Sequence, residues 1–244
     1  MLPFFFNQFH AISIGDSITL DESNSKHIAQ VLRMKEGDFL NITNGKGQIA
    51  LAEITLKHKK NTTVKVTEVK EQIKKTHEQW LAISFTKNRT RTEWLIEKAT
   101  ELGISGIVPL SCQRSERSHW NHDRLQKIMI AAMLQSQQAW LPQLEELTTL
   151  ENLIQNPPIK KDSNIRWGIA HCLEDEKQSL LSFLKPASSH IICIGPEGDF
   201  TPEEIDLAKT HGMSAVSLGD TRLRTETAGI YVATLLNVKS YETV

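Results

Sequence analysis

The spacing of hydrophobic residues changes character once along the chain. Up to about residue 70, short runs of alternating hydrophobic and polar residues are separated by turns, among them the hairpin-forming dipeptide Asn44-Gly45. This pattern predicts a small β-barrel over residues 1–72, with one short helix over Ser25–Met34. The polar segment that follows is interpreted as a link to a second domain over residues 76–244.

From Trp80 onward, hydrophobic runs typical of buried strands alternate with amphipathic helical segments. Strands alternating with helices indicate an α/β domain with a mostly parallel sheet that is covered on both faces. Thr201-Pro202-Glu203-Glu204 predicts a helix start with a capping box. The predicted strands are 80–85, 104–110, 166–172, 190–194 and 214–218, and the other predicted helices are 92–102, 123–140, 176–184 and 225–238.

Composition excludes several classes of protein. The 244 residues are 39% hydrophobic and 23% charged, which is ordinary for a globular chain. No hydrophobic run is long enough to cross a membrane, and the first residues lack the features of a signal peptide, so we expect a cytoplasmic protein. The three cysteines form no CxxC pair and the nine histidines show no metal-ligand spacing, so we expect neither a disulfide framework nor a metal site.

Charge is divided unevenly between the two predicted domains. Residues 1–75 carry 11 Lys/Arg against 8 Asp/Glu, whereas residues 76–244 carry 17 against 21. A mildly basic first domain fits local contact with phosphate groups, although a solvated lysine-rich edge would give the same count.

Two loops that follow predicted strands carry the candidate chemistry. The first is Gly195-Pro196-Glu197-Gly198, and the second begins at Leu218-Gly219 and runs to Arg224. Ligands of open α/β sheets bind beyond the carboxyl ends of strands, and glycines let backbone groups approach a flat ring closely. The pair therefore predicts a site for a small ligand; a tight turn without a ligand is the alternative. The motifs of nucleotide-phosphate loops are absent from the chain.

Basic residues are concentrated in loops of the second domain. Arg222 and Arg224 precede a helix for which Thr225 is the expected N-cap, a place where cations need an anionic partner. Pairing of these arginines with Asp220 or Glu226 is the alternative. Two further basic loops, Lys87–Arg91 and Arg114–Arg117, could hold RNA phosphates, or could be ordinary solvated loops.

Several of these motifs together resemble one enzyme family. They are Val31-Leu32-Arg33, Lys98-Ala99-Thr100-Glu101-Leu102-Gly103, Arg114-Ser115-Glu116-Arg117, Gly195-Pro196-Glu197-Gly198 and Leu223-Arg224-Thr225-Glu226-Thr227-Ala228. In this order they resemble the trefoil-knot (SPOUT) RNA methyltransferases, and among them the RsmE family, which methylates N3 of a uridine in small-subunit (16S) ribosomal RNA. The resemblance implies a PUA-like β-barrel that binds RNA and a C-terminal α/β-knot domain. It also implies S-adenosylmethionine (SAM) as cofactor, ribosomal RNA or the small ribosomal subunit as partner, and a homodimer.

The resemblance also implies roles for individual residues. Arg224 and Arg91 are the catalytic candidates, because guanidinium groups can stabilise charge on the uracil oxygens. The proton acceptor stays open between water and a carboxylate such as Glu197. The RNA-binding candidates are Lys26, Arg33, Lys87, Arg114, Arg117 and Arg222. The cofactor-binding candidates are Ile169, Ala170, Ile194, Gly195, Pro196, Glu197, Gly198, Leu218, Gly219, Leu223, Thr225, Thr227 and Ala228.

Two further expectations concern assembly and the pocket. We expect a dimer interface to bury apolar residues of the last helix, such as Tyr231, Val232 and Leu235. We also expect a branched side chain at Gly195 to block SAM while leaving the fold largely intact. Ribose 2′-O methylation and a non-catalytic RNA-binding assembly factor are the alternative functions.

Overall fold

The computed structural model describes residues 2–8, 11–116, 120–159, 164–186 and 188–241. The chain forms two compact units: Met1–Lys74 with Met133–Leu141, and Lys75–Ala132 with Pro142–Val244. Within the described ranges, no helix is both long and apolar enough to span a membrane.

The first unit is built around a five-stranded sheet. Its strand order is β1-β3-β4-β5-β2, with β1 parallel to β3 and the other pairs antiparallel. Inward-facing residues such as Leu40, Ile42 and Val64 form its hydrophobic core. The elements are β1 (Phe4–Phe6), β2 (Ser17–Thr19), α1 (Glu22–Lys26), a π-helical turn (His27–Val31), β3 (Phe39–Thr43), β4 (Gln48–Leu56) and β5 (Thr63–Glu71).

The predicted hairpin at Asn44-Gly45 is confirmed. Asn44 Oδ1 accepts hydrogen bonds from the N–H groups of Lys46 (2.8 Å) and Gln48 (3.2 Å), which fixes the turn. Gly45 has φ +68°, a conformation that favours glycine. The turn therefore sets the antiparallel register of β3 and β4.

The predicted helix over Ser25–Met34 has different bounds. It begins at Glu22, because Asp21 accepts a hydrogen bond from the Asn24 N–H (2.7 Å) and acts as the N-cap. It then widens into the π-helical turn and stops before Arg33, whose φ of +53° ends helical geometry.

The second unit contains a larger sheet in which every assigned pair is parallel. The main strand order is β11-β13-β10-β12-β6-β7-β8, and β9 pairs with β7. The strands are β6 (Gln79–Ile83), β7 (Gly106–Ser111), β8 (Gln143–Leu144), β9 (Thr148–Thr149), β10 (Ile165–Ala170), β11 (Gln178–Ser179), β12 (Ser189–Ile194) and β13 (Ser214–Ser217). The helices are α2 (Arg89–Glu101), α3 (His122–Gln135), α4 (Leu150–Gln155), α5 (Leu180–Phe183), α6 (Pro202–Thr210) and α7 (Thr225–Tyr241).

Helices bury both faces of this sheet. Residues of α4 and α6 form one core cluster with β6, β7, β10 and β12. On the other side of the sheet, α7 packs on β6, β12 and α2. At Gly229 its backbone lies close to side chains of α2 and β6. A Cβ there would lie 2.6 Å from Leu95 Cδ1 and 2.9 Å from Ile83 Cδ1, so any larger residue would require these side chains to move.

Two further predicted helices were wrong in their bounds or type, and three short elements were not predicted. The helix predicted over 123–140 ends at Gln135, and Gln137 follows with φ +57°. The segment predicted as a helix over 176–184 is instead the short strand β11 followed by the one-turn helix α5. The sequence did not reveal β8, β9 or α4, because elements of two to six residues are too short to show a period.

Candidate active site

The carboxyl ends of three neighbouring strands, β10, β12 and β13, surround a cavity of about 560 Å³. The first turn of α7 also contributes to its wall. Parallel strands end at one edge of a sheet, which is where ligands of this architecture bind. The lining consists of Ala170, His171, Cys172, Lys177, Ile194, Gly195, Pro196, Glu197, Asp199, Val216, Ser217, Leu218, Gly219, Asp220, Thr221, Arg222, Leu223, Arg224, Thr225 and Ala228.

The segment Gly195–Phe200, here called the glycine loop, forms one wall of the cavity. It contains a turn in which the Asp199 N–H donates to Pro196 O (2.9 Å). Asp199 has φ +65° and its carboxylate accepts two hydrogen bonds, from the N–H of Phe200 (2.8 Å) and of Cys172 (2.7 Å). The carboxylate therefore ties the glycine loop to the end of β10.

Two other elements also hold the glycine loop. The Thr225 hydroxyl, at the start of α7, donates to Gly195 O at 3.4 Å. Thr225 is thus the first helical residue and a contact to the loop, rather than the N-cap we predicted. Beyond β7, Arg114 Nη1 donates to Gly198 O (2.9 Å) and Phe200 O (3.4 Å).

Two arginines, Arg222 and Arg224, lie in the turn before α7, and no acidic side chain in the described part of the chain pairs with them. Arg222 and Arg224 are exposed, and their guanidinium groups make no hydrogen bond or ion pair there. Glu226 instead lies with its Oε1 3.4 Å from Arg91 Nε. Two unpaired cations at the positive end of a helix favour an anionic ligand or developing negative charge at this place.

His171 was not identified from the sequence. Its ring is fully buried, and neither ring nitrogen has a hydrogen-bond partner in the described ranges; Nε2 lies 3.6 Å from Asp175 Oδ2. Burial lowers the pKa of the His171 imidazole, which favours the neutral ring. Among the described residues, no group of three or more metal-binding side chains comes together.

Comparison with known proteins decides the family. Residues 50–237 match the model of an RNA methyltransferase domain, and residues 20–67 match that of an RNA methyltransferase PUA domain. The chain is 33% identical to ribosomal RNA small subunit methyltransferase E of Rickettsia conorii over 84% of this chain and 82% of that protein. The chain belongs to the ribosomal RNA small subunit methyltransferase E family.

Solved structures agree with this assignment. A probable rRNA methyltransferase from Porphyromonas gingivalis superposes with a TM-score of 0.90 at 32% identity, with both chains covered completely. A protein from Legionella pneumophila, described as a methyltransferase and solved with bound SAM, gives a TM-score of 0.84 at 26% identity, with 98% of each chain covered. The predicted family and the predicted fold class, a PUA-like domain with a SPOUT methyltransferase domain, are confirmed. The protein is an rRNA methyltransferase.

The cavity of this methyltransferase brings together ten of the thirteen residues predicted to bind the cofactor. The three outside the lining are Ile169, which is fully buried in the core, Gly198, whose carbonyl faces Arg114, and Thr227, which is exposed on α7. The ten in the lining are Ala170, Ile194, Gly195, Pro196, Glu197, Leu218, Gly219, Leu223, Thr225 and Ala228.

The expectation for Gly195→Val, loss of SAM binding with the fold largely retained, stays a prediction. A Cβ at Gly195 would lie 3.0 Å from both the backbone nitrogen and the ring Cδ2 of Phe200. A side chain there would point at Phe200 within the glycine loop, which would have to shift by a few tenths of an ångström. The sequence marks this glycine as special but does not show which way its missing side chain points.

The predicted catalytic and RNA-binding residues divide into paired and unpaired groups. Arg224 and Arg222 line the cavity, whereas Arg91 lies outside the lining beside Glu226. Lys87 forms an exposed ion pair with Glu116 at 3.3 Å, and Arg114 contacts two carbonyl groups of the glycine loop.

The remaining RNA-binding candidates are Lys26, Arg33 and Arg117. Lys26 pairs with Glu22 at 2.7 Å on the exposed side of α1. Arg33 is exposed and its side chain has no partner in the first unit's described residues. Arg117 lies outside the residues that the structure describes.

Removal of the Asp199 carboxylate should loosen the glycine loop. We expect Asp199→Ala to lower the free energy of unfolding by about 1–2 kcal/mol, because two backbone donors lose their acceptor and alanine disfavours φ +65°. Asp199→Gly also lacks the carboxylate, but glycine tolerates the backbone angle, so this variant should lower the free energy of unfolding by less. Urea denaturation measures both; two variants as stable as the wild type would show that the tie contributes nothing.

Proposed function

We propose that this protein transfers a methyl group from SAM to N3 of a specific uridine in small-subunit (16S) ribosomal RNA. Membership of the ribosomal RNA small subunit methyltransferase E family supports the reaction class. The observation that carries the proposal is the cavity beside Arg224, in which predicted cofactor residues from three strand ends and α7 meet. A ribosomal RNA substrate makes the cytoplasm the proposed place of action.

The cavity fits SAM by size and by the character of its wall. About 560 Å³ lies within the range of small-molecule sites, roughly 300–1,000 Å³. Ala170, Ile194 and Leu218 offer apolar surface for an adenine ring. Gly219 has φ +117°, and nothing lies within 4 Å of the position a Cβ would take, so a ligand can approach its backbone. The related protein of Legionella pneumophila was solved with SAM bound.

Bound SAM would supply an electrophilic methyl group. Uracil N3 carries a proton and is a poor nucleophile until that proton leaves and charge spreads onto O2 and O4. The protein's part in such a reaction is to orient the base, assist loss of the proton and stabilise the negative charge. N3 is hidden when uridine is base-paired, so the target nucleotide must be unpaired or flipped out.

Arg224 is our first candidate for stabilising the charged uracil. It lines the cavity, its side chain is exposed, and its guanidinium has no partner among the described residues. Arg91 is the second candidate: Glu226 faces its Nε, which leaves its terminal nitrogens for a substrate oxygen. Glu197, an exposed carboxylate of the lining, and water are the candidate proton acceptors.

RNA binding is proposed for both units. The first unit, with a PUA domain match over residues 20–67, offers Lys26 and the unpaired Arg33. The second offers Arg222 and Lys87, with Arg117 outside the described residues. Exposed cations of this kind bind phosphates without reading sequence, so they would position the RNA rather than select the uridine.

A homodimer is also proposed, on the evidence of α7. Tyr231, Leu235 and Val238 recur at helical spacing and form a stripe in which Tyr231 is 42% and Val238 48% exposed. Val232 was wrongly predicted for this interface, because it is fully buried within its own chain. An exposed apolar stripe on a helix fits burial against a second copy.

The product identifies the reaction directly. Purified protein incubated with SAM and small ribosomal subunits or their RNA should form 3-methyluridine, detected by mass spectrometry of the digested RNA. Subunits from a strain that lacks the gene are the substrate, because their target is unmodified. Formation of a 2′-O-methyl nucleoside instead, or of no methylated product, would contradict the proposal.

Arg224→Ala should slow the chemical step more than it weakens binding. Loss of one donor to a developing oxyanion costs about 10²–10³ in rate, and Arg224→Lys should recover little because an ammonium cannot reproduce the guanidinium fork. Single-turnover methyl transfer at saturating RNA and SAM measures the effect. If Arg224 holds only a phosphate, that rate stays near wild type and the loss appears as a salt-dependent decrease in RNA affinity.

The stripe on α7 can be tested by charge. Tyr231→Lys combined with Val238→Lys should convert the dimer to a monomer, because two lysines cannot be buried without partners. Thr234→Lys, an exposed position on the same helix face three residues after Tyr231 and four before Val238, shows whether a single lysine is enough. Light scattering gives the mass; a wild-type monomer at micromolar concentration, or a double variant that remains dimeric, rejects the assignment.

A further inference from the structure

Arg114 is held in a fixed place by its own loop. The preceding residue, Gln113, donates its N–H to Glu204 Oε1 at 2.9 Å, while Glu204 Oε2 accepts from the Thr201 N–H at the start of α6. The following residue, Ser115, accepts from the Cys112 N–H at 2.9 Å. The backbone on both sides of Arg114 is therefore anchored to other parts of the second unit.

The side chain of Arg114 reaches from this anchored loop to the glycine loop. A single nitrogen, Nη1, donates to Gly198 O at 2.9 Å and to Phe200 O at 3.4 Å. The aliphatic stem lies against Gly198 as well, since a Cβ there would sit 3.3 Å from Arg114 Cβ. Gly198 is the residue of the segment Gly195–Asp199 that does not line the cavity, so Arg114 holds the loop without occupying the ligand's space.

These contacts change the role expected of Arg114. Arg114 is exposed, but its Nη1 donates to two backbone carbonyls of the chain, a partner that a residue serving only to bind RNA does not need. Arg222 and Arg224 show the contrasting arrangement, with no partner among the described residues.

We propose that Arg114 is a positioning residue for the cofactor wall: it fixes the glycine loop, and through it the affinity for SAM, rather than binding RNA. The inference rests on the proposed use of the cavity for SAM. Loss of the two hydrogen bonds should therefore weaken the binding of the cofactor and leave the RNA-binding surface unchanged.

The test compares Arg114→Met, which keeps a stem of similar length and removes every donor, with Arg114→Lys. Calorimetry with S-adenosylhomocysteine should show Kd raised about three- to tenfold in Arg114→Met, the scale of one or two net hydrogen bonds. Because one nitrogen makes both contacts, an ammonium can replace it, and Arg114→Lys should recover part of the affinity. The KM for SAM should rise while kcat at saturating SAM stays near wild type.

Arg33→Met is the matched comparison, since Arg33 is an exposed arginine of the first unit with no partner among the described residues. It should weaken binding of small-subunit ribosomal RNA, with a shallower salt dependence, and leave the Kd for S-adenosylhomocysteine unchanged. If Arg114→Met follows that pattern instead, Arg114 is an RNA contact and the proposal is wrong.

Two outcomes separate this proposal from the proposed function. Wild-type protein that does not bind S-adenosylhomocysteine would reject the function itself. Wild-type binding with an unchanged Kd in a folded Arg114→Met would reject only the role of Arg114. If Arg114→Met does not fold, hydrogen exchange of the glycine loop in Arg114→Gln, a shorter side chain without the guanidinium, decides. Exchange faster than in wild type supports the proposal, and unchanged exchange rejects it.

Discussion

The site depends on how one irregular loop is held at the edge of a parallel sheet. The glycine loop has no strand or helix of its own, and three side chains hold it: one from the loop itself and two from distant elements. Asp199 reaches the end of β10, Thr225 reaches the loop from α7, and Arg114 reaches it from beyond β7. Because each contact comes from a different element, the wall of the cavity is fixed only when the whole second unit has folded.

The basic side chains of the second unit's predicted site fall into two groups, those paired within the chain and those left unpaired at the cavity. Arg114 donates to backbone carbonyls, Lys87 faces Glu116, and Arg91 faces Glu226. Arg222 and Arg224 alone among the second unit's predicted site arginines in the described ranges keep unpaired guanidinium groups, and both line the cavity. Positive charge that the chain leaves uncompensated at the start of a helix is available to an anionic substrate group or to charge formed during reaction.

The sequence predicted the local features well, because their causes lie within a few residues. The capping box at Thr201, the hairpin at Asn44-Gly45 and the alternation of strands with helices all appear in the structure. The motifs that resemble the family also placed most of the cavity wall correctly.

What the sequence did not show depends on partners far away in the chain. The contact of Asp199 spans 27 residues, that of Thr225 spans 30 and that of Arg114 spans 84. No local pattern shows whether an arginine such as Arg114 faces solvent or a carbonyl of another loop. The direction of the missing side chain at Gly195, toward Phe200, also depends on tertiary packing.

Hydrogen exchange with and without S-adenosylhomocysteine tests the cofactor cavity most directly. The ligand should slow exchange in peptides that cover Ala170–Cys172, the glycine loop and Leu218–Arg224, the three segments that line the cavity at the strand ends. Peptides from β3 to β5 in the first unit should exchange as before. Protection confined to other parts of the chain, or no protection at saturating ligand, would contradict the assignment of this cavity to the cofactor.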